Sequence, residues 1–316
     1  LRRGITAGKR NRHMGRLIEG VWQSDDGIWA SGDGRFRRTE SQFRHAIGEP
    51  DFPAEAGRYH LYVSLACPWA HRTLIFRQLK GLEEIIPVSV VHPHMLENGW
   101  EFHPPEPLYG FAFAHQLYSK AEPQYCGKVS VPILWDTKKH TIVNNESSEI
   151  IRMFNSSFNT LTGNSADYYP AALRTEIDDI NAFVYDNINN GVYKCGFATE
   201  QTAYEEAFDA LFSALDAVET RLGKQRYLVG NQITEADWRL FTTLIRFDAV
   251  YVSHFKCNRN RIADMPNLSA YLHDLYQQPG IAETVNLEHI KQHYFFSHAS
   301  INPTRIVPKG PQLCFL

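Results

Sequence analysis

A short alternating run over residues 59–65 meets Cys67-Pro68, and a stretch with helical spacing begins at once. No other feature limits the possible folds so sharply. The run is β-prone and alternates, as a half-buried strand requires. Proline has no N–H to lose in a first helical turn, so Pro68 suits the start of a helix over 69–80. Leu74, Ile75, Leu79 and Leu82 keep near-helical spacing, and Gly81 marks the stop. A second strand is predicted over 87–91, a hairpin from 131–135 and 141–143, and a short helix over 147–154. The order is β-α-β, then β-β-α.

Beyond residue 160 the strand signals fade, and 172–188, 204–222, 235–252, 268–277 and 287–295 all read as helices. Thr234-Glu235-Ala236-Asp237 is a good helix start, because the Thr hydroxyl can cap the first turn and acids suit the positive end of the helix dipole. The resulting division is an irregular extension over 1–57, a mixed domain over 58–157, an all-helical domain over 158–300 and a tail over 301–316. Trp22, Trp29, Phe36 and Phe43 suggest that the extension packs onto the body. The segment 92–128, rich in proline and aromatics, is expected to be irregular, and loops that long inside compact domains are usually functional.

Composition closes off several classes. With 316 residues, 43% hydrophobic and 13% aromatic, the chain can bury more than one small core and is not a disordered protein. Its 32 Lys+Arg against 35 Asp+Glu give no footprint for nucleic acid or an anionic membrane, so neither is expected as a partner. No apolar run approaches the roughly 20 residues of a membrane helix. Basic residues from Arg2 to Arg16 precede no apolar stretch, so no secretory signal is expected, and organelle import is left open. Cys67, Cys126, Cys195, Cys257 and Cys314 are odd in number and form no CxxC pair. That pattern argues against a disulfide scaffold or structural zinc, and for a reducing compartment such as the cytoplasm.

The strongest chemical signal is Ser64-Leu65-Ala66-Cys67-Pro68-Trp69-Ala70-His71-Arg72. A cysteine directly before a helix-opening proline lies where backbone N–H groups converge, which is expected to lower its pKa and favour the thiolate. Ala70 stands three residues on, so there is no resolving cysteine. The implied cycle is monothiol: Cys67 attacks a sulfur, forms a mixed disulfide, and an external thiol releases it. Val131-Pro132 at a strand start suggests a cis bond that turns the Val131 backbone toward an extended ligand. In Glu146-Ser147-Ser148, Ser147 is expected to cap the next helix and Glu146 to accept from an ammonium group. His92-Pro93-His94 with His103, and His289 with His293, form no complete ligand set and read as packing or solvated histidines, so no metal is expected.

Together these residues resemble the glutathione transferase superfamily, whose thioredoxin-like α/β domain precedes an all-α domain. Cys-Pro-Trp-Ala-His-Arg at 67–72, Glu97-Asn98-Gly99-Trp100, Lys128-Val129-Ser130-Val131-Pro132, the run 189–198 and His254-Phe255-Lys256-Cys257-Asn258 narrow the resemblance to its Xi class, the glutathionyl-hydroquinone reductases. The resemblance implies that Cys67 is the nucleophile and that Trp100, Lys128, Val129, Ser130, Val131, Glu146 and Ser147 contact glutathione. Tyr193 matches the family's proton donor, and Tyr251 and Tyr294 match tyrosines that favour the thiolate. The family often has Arg where this chain has Lys128, which keeps the charge and loses the bidentate fork.

The implied activity is reduction of glutathionyl-hydroquinones, with glutathione as co-substrate and no other cofactor, by an expected homodimer. A phenol near the ring suits this chemistry, since a thiolate attacking an aryl-bound sulfur expels a carbon leaving group that needs a proton. Two rival functions remain at this level. One is a general cysteine-type transferase acting on mixed disulfides or dehydroascorbate. The other is a non-catalytic glutathione-binding module, against which an intact Cys67 argues.

Overall fold

The computed structural model describes residues 15–24 and 32–313. The basic residues before Gly15, Trp29 and Cys314 lie outside the described residues.

The expectation of a wholly irregular extension is corrected at its start. Strands β1 (Arg16–Ile18) and β2 (Val21–Gln23) form an antiparallel hairpin with Leu17 opposite Trp22. Three residues per strand are too few to leave an alternation in the sequence. The hairpin is tied to the body through Leu17, which exchanges backbone hydrogen bonds with Gly127 at 2.9 and 3.0 Å.

The main sheet has four strands, β3 (Tyr59–Val63), β4 (Val88–Val90), β5 (Ile133–Asp136) and β6 (Thr141–Asn144), in the order β4-β3-β5-β6. β3 pairs parallel with β4 and antiparallel with β5, and β5 pairs antiparallel with β6. Every residue of β3 and β5 is buried, so both faces of the central strands are covered by packed elements. Helices α1 (Pro68–Leu79) and α3 (Ser147–Ser156) pack against each other, and α2 (Ala114–Ala121) lies against β6. The segment 92–128 is thus not wholly irregular. Its two-turn helix was hidden because prolines and aromatics on either side break the helical period.

The remaining helices are α4 (Asn159–Thr162), α5 (Arg174–Val184), α6 (Gly191–Phe197), α7 (Gln201–Leu222), α8 (Glu235–Arg246), α9 (Pro266–Tyr276) and α10 (Leu287–Ser297). The stretches 172–188 and 235–252 are not single α-helices. Each ends in a π-helical turn, Tyr185–Asn189 after α5 and Phe247–Tyr251 after α8. The closing bonds run from Asn190 N–H to the Tyr185 carbonyl (2.9 Å) and from Val252 N–H to the Phe247 carbonyl (3.0 Å). The extra residue in such a turn re-aims the side chains at and beyond it, here Tyr251 at the end of one turn and Tyr193 just past the other. α6 was missed because Asn189-Asn190-Gly191 reads as a break.

All twelve residues of α8 are buried, and its cap is polar and closed. The Asp237 carboxylate accepts from the Thr234 N–H at 2.8 Å, the Leu228 N–H at 3.0 Å and the Tyr271 hydroxyl at 2.7 Å. Among the described residues, no helix is long and apolar enough to cross a membrane. A thioredoxin-like sheet domain preceding a helical one is the architecture the sequence led us to expect.

Candidate active site

Cys67 is the N-cap of α1. Its Sγ accepts from the Ala70 N–H at 3.5 Å and lies 3.6 Å from the Val131 carbonyl oxygen, to which the thiol donates. Pro68 occupies the first turn as predicted, and the Val131-Pro132 bond is cis. Behind the turn, the buried Arg246 guanidinium donates to the carbonyls of Ala66 (2.8 Å), Leu65 (3.1 Å) and Thr242 (2.7 Å) and to His71 Nδ1 (2.9 Å). The end of α8 therefore holds the cysteine loop.

One expectation about this thiol fails. Burial is the largest influence and pushes the Cys67 pKa up. The Ala70 and Trp69 N–H groups and the Arg246 and Arg38 guanidiniums pull it down without overcoming that. Cys67 keeps part of its surface open, but packed protein replaces most of the water around the sulfur, and a helix start alone does not outweigh this loss.

The thiol opens into a cavity of about 800 Å³. Of the residues singled out from sequence, Trp100, Lys128, Val129, Ser130, Val131, Glu146, Ser147, Tyr193 and Tyr294 line it with Cys67. Tyr251 does not. It is fully buried and is joined to the cavity by a chain of phenols: Tyr193 to Tyr294 at 2.6 Å, and Tyr251 to Tyr294 at 3.0 Å between hydroxyl oxygens. Burial raises the pKa of all three above the ordinary phenol range, and for Tyr193 the nearby Cys67 adds to the effect. They are protonated hydroxyls that can donate.

The cap of α3 is corrected. Glu146, not Ser147, is its N-cap, with the carboxylate accepting from the Ser148 N–H (3.1 Å) and hydroxyl (2.9 Å). Ser147 sits inside the first turn, where its hydroxyl accepts from Arg72 at 3.4 Å.

Sequence reasoning missed two contributors. Arg38, from the extension, lies over Trp69 (4.5 Å to the ring centroid), Tyr193 (5.1 Å) and Phe36 (5.3 Å), and donates to Asn190 at 3.0 Å. Its cation faces the aromatic wall beside Cys67. His293 also lines the cavity, stacked on Trp100 with ring centroids 4.8 Å apart. Arg38 belongs to no motif with local spacing, and His293 was read from its pairing with His289 as a packing or solvated histidine, so its place beside the site did not show. The histidines at 92, 94 and 103 do gather, with ring centroids 4.9 and 5.0 Å apart around His92. His94 is engaged elsewhere, stacked on Phe296 and bonded to Gln292 at 2.9 Å.

A cysteine at a helix start, a polar trough beside it and a wall of aromatics with phenol donors define a site for a thiol co-substrate and an aromatic partner. Residues 66–157 match the family model described as glutathione S-transferase, N-terminal domain, and residues 201–274 match the model for the C-terminal domain. Fold and family models together define a glutathione transferase. The chain is 57% identical to the glutathionyl-hydroquinone reductase YqjG of Escherichia coli, over 94% of this chain and 95% of that one. It is 54% identical to the glutathionyl-hydroquinone reductase PcpF of Sphingobium chlorophenolicum, over 94% and 96%. The crystal structure of glutathione S-transferase Xi from Phanerochaete chrysosporium superposes with a TM-score of 0.88 at 53% identity, covering 89% of this chain and 94% of that one. The chain belongs to the Xi class of glutathione transferases, the family of the glutathionyl-hydroquinone reductases.

Proposed function

We propose that this protein reduces glutathionyl-hydroquinones to hydroquinones at the expense of glutathione, with Cys67 as nucleophile. The observation that carries the reading is the meeting of Cys67 with Tyr193 and Tyr294 in one cavity, with Tyr251 hydrogen-bonded to Tyr294 behind them. In the first step the Cys67 sulfur attacks the glutathione sulfur of the conjugate. A Cys67–glutathione disulfide forms, the sulfur–aryl bond breaks, and the ring carbon takes a proton. The atoms balance: one proton leaves the thiol and one is gained by the ring. A thiol whose pKa is raised fits this, because its proton is the one the ring needs, and Tyr193 with Tyr294 can relay it. Once the proton has gone, the Trp69 and Ala70 N–H groups and the two guanidiniums favour the charged sulfur. A second glutathione then attacks the mixed disulfide and leaves as oxidised glutathione, restoring the Cys67 thiol.

Trp100, Lys128 to Val131, Glu146 and Ser147 form the glutathione side of the cavity in this reading. Glutathione is the co-substrate, which agrees with the glutathione-bound structure solved for YqjG. We carry a homodimer and a cytoplasmic setting as parts of the same reading. The free cysteines among the described residues fit a reducing compartment.

The test compares two substrates. A glutathionyl-hydroquinone should be turned over to hydroquinone, with kcat/KM well above that for a simple glutathione mixed disulfide. Turnover of the mixed disulfide alone would make the protein a general thiol transferase instead.

A further inference from the structure

His293 reaches the cavity from α10, immediately before Tyr294, and has no part in the proton relay. It is 6% exposed and lies nearly parallel to Trp100, at 25°. Its Nδ1 is 2.9 Å from the Pro93 carbonyl oxygen, with the Ser297 hydroxyl at 3.4 Å from the same nitrogen. A carbonyl only accepts, so Nδ1 carries the hydrogen. Burial drives the imidazole pKa down to about 4 against the opposing pull of the Pro93 bond, so the ring is neutral at physiological pH. A neutral imidazole with its hydrogen on Nδ1 has a lone pair on Nε2. Among the described residues no group donates to that nitrogen, although the ring is more than nine-tenths buried and lines the cavity. With no donor among the described residues, that lone pair is left to a ligand in the cavity that the ring lines.

The neighbours say which part of the ligand this is. The His293 ring contacts Tyr294 and His298, at 5.2 and 5.3 Å, on the side of the phenols, and stacks at 4.8 Å on Trp100, which stands on the glutathione side. Lys128 and Glu146, the charged groups suited to a peptide's ends, belong to different elements, before β5 and at the start of α3.

We propose that His293 Nε2 accepts a hydrogen bond from a ring hydroxyl of the aromatic substrate, making His293 a specificity-determining residue for hydroxylated rings. This rests on the glutathionyl-hydroquinone reading and supplies what that reading lacks, a reason for preferring hydroxyls. Phenol donors on one wall serve any ring oxygen, whereas an acceptor serves only an oxygen that still bears hydrogen. A site built to accept from a substrate hydroxyl discriminates against the analogue lacking it, because the acceptor is then left unpaired.

The test is direct binding, which needs no turnover. Affinities of hydroquinone, its dimethyl ether and glutathione are measured by anaerobic calorimetry on the parent, His293→Phe and His293→Gln. The parent should prefer hydroquinone to the ether. His293→Phe should weaken hydroquinone by about tenfold, the usual scale for losing such a bond, and the ether by far less. His293→Gln, which keeps an acceptor oxygen, should recover part of the preference and serves as the test if His293→Phe does not fold. Equal effects on hydroquinone and ether, or a loss confined to glutathione, would overturn the proposal. Release of hydroquinone from its glutathione conjugate by the parent, measured alongside, fails only if the underlying reading is wrong.

Discussion

The Cys67 sulfur and the Tyr193 hydroxyl share a cavity, and burial raises the pKa of both. In the absence of glutathione, alkylation of Cys67 by iodoacetamide should therefore rise with pH to a midpoint above that of an ordinary thiol. Arg38→Met should move the midpoint higher still, because one of the cations favouring the thiolate is gone. A midpoint below that of a free thiol would show that the helix start dominates after all. Tyr193→Phe and Tyr294→Phe remove the relay while keeping the rings. Each should slow hydroquinone release by about 10² or more, the usual scale for losing a general acid, and should slow mixed-disulfide reduction much less. Stopped-flow comparison of the two substrates checks this. At this scale legibility was uneven. Cys67-Pro68 is readable because strand, thiol and helix start are contiguous. The phenols are 101 and 43 residues apart along their two hydrogen bonds, so without the family resemblance each would read as a core aromatic.

Among the elements, α8 carries the most consequence per residue, since its start is a closed polar cap and its end is Arg246. Burial raises the Asp237 pKa from 3.8 to about 6. The folded state therefore binds more protons than the unfolded state between those values. The stability this contributes is complete below 3.8 and lost as pH rises through about 6. Asp237→Asn cannot titrate, so the parent should lose stability relative to that variant as pH rises from about 4 to about 6, and no further above about 7. Thermal midpoints across that range decide it, and a parallel pair of curves would contradict it. At the other end, Arg246→Met leaves three carbonyls without their donor and should cost about 3 kcal/mol in denaturant unfolding. The cap was legible because Thr234 and Asp237 lie three residues apart in a local motif. The π turns after α5 and α8 were not, because apolar spacing over one turn does not distinguish four residues from five. The hairpin β1–β2 and helices α2 and α6 were too short, or too interrupted by Gly, Pro and Asn, to show a period.

In the whole molecule the site is closed by three parts of the chain that are far apart in sequence. The sheet domain supplies Cys67 and the polar trough, the helical domain supplies the phenols and His293, and the extension supplies Phe36 and Arg38. The two-domain order was legible from the switch between period-two and helical patterns near residue 160. The role of the extension was not, since its aromatics showed only that it packs somewhere. A chain lacking residues 1–57 should bind glutathione about tenfold more weakly and melt at lower temperature, because binding then has to order a wall that the extension holds in place. Calorimetry with glutathione checks the first point. The most direct measurement of the central claim tracks one sulfur. The protein and Cys67→Ala are mixed with a glutathionyl-hydroquinone, with and without added glutathione, while hydroquinone is followed by chromatography and the protein by intact mass. Without added glutathione, the parent should release one hydroquinone and retain one glutathione on Cys67. Added glutathione should clear that adduct and restore turnover, and Cys67→Ala should do neither. Hydroquinone release by Cys67→Ala at the parent's rate, or release by the parent with no adduct at Cys67, would contradict the mechanism.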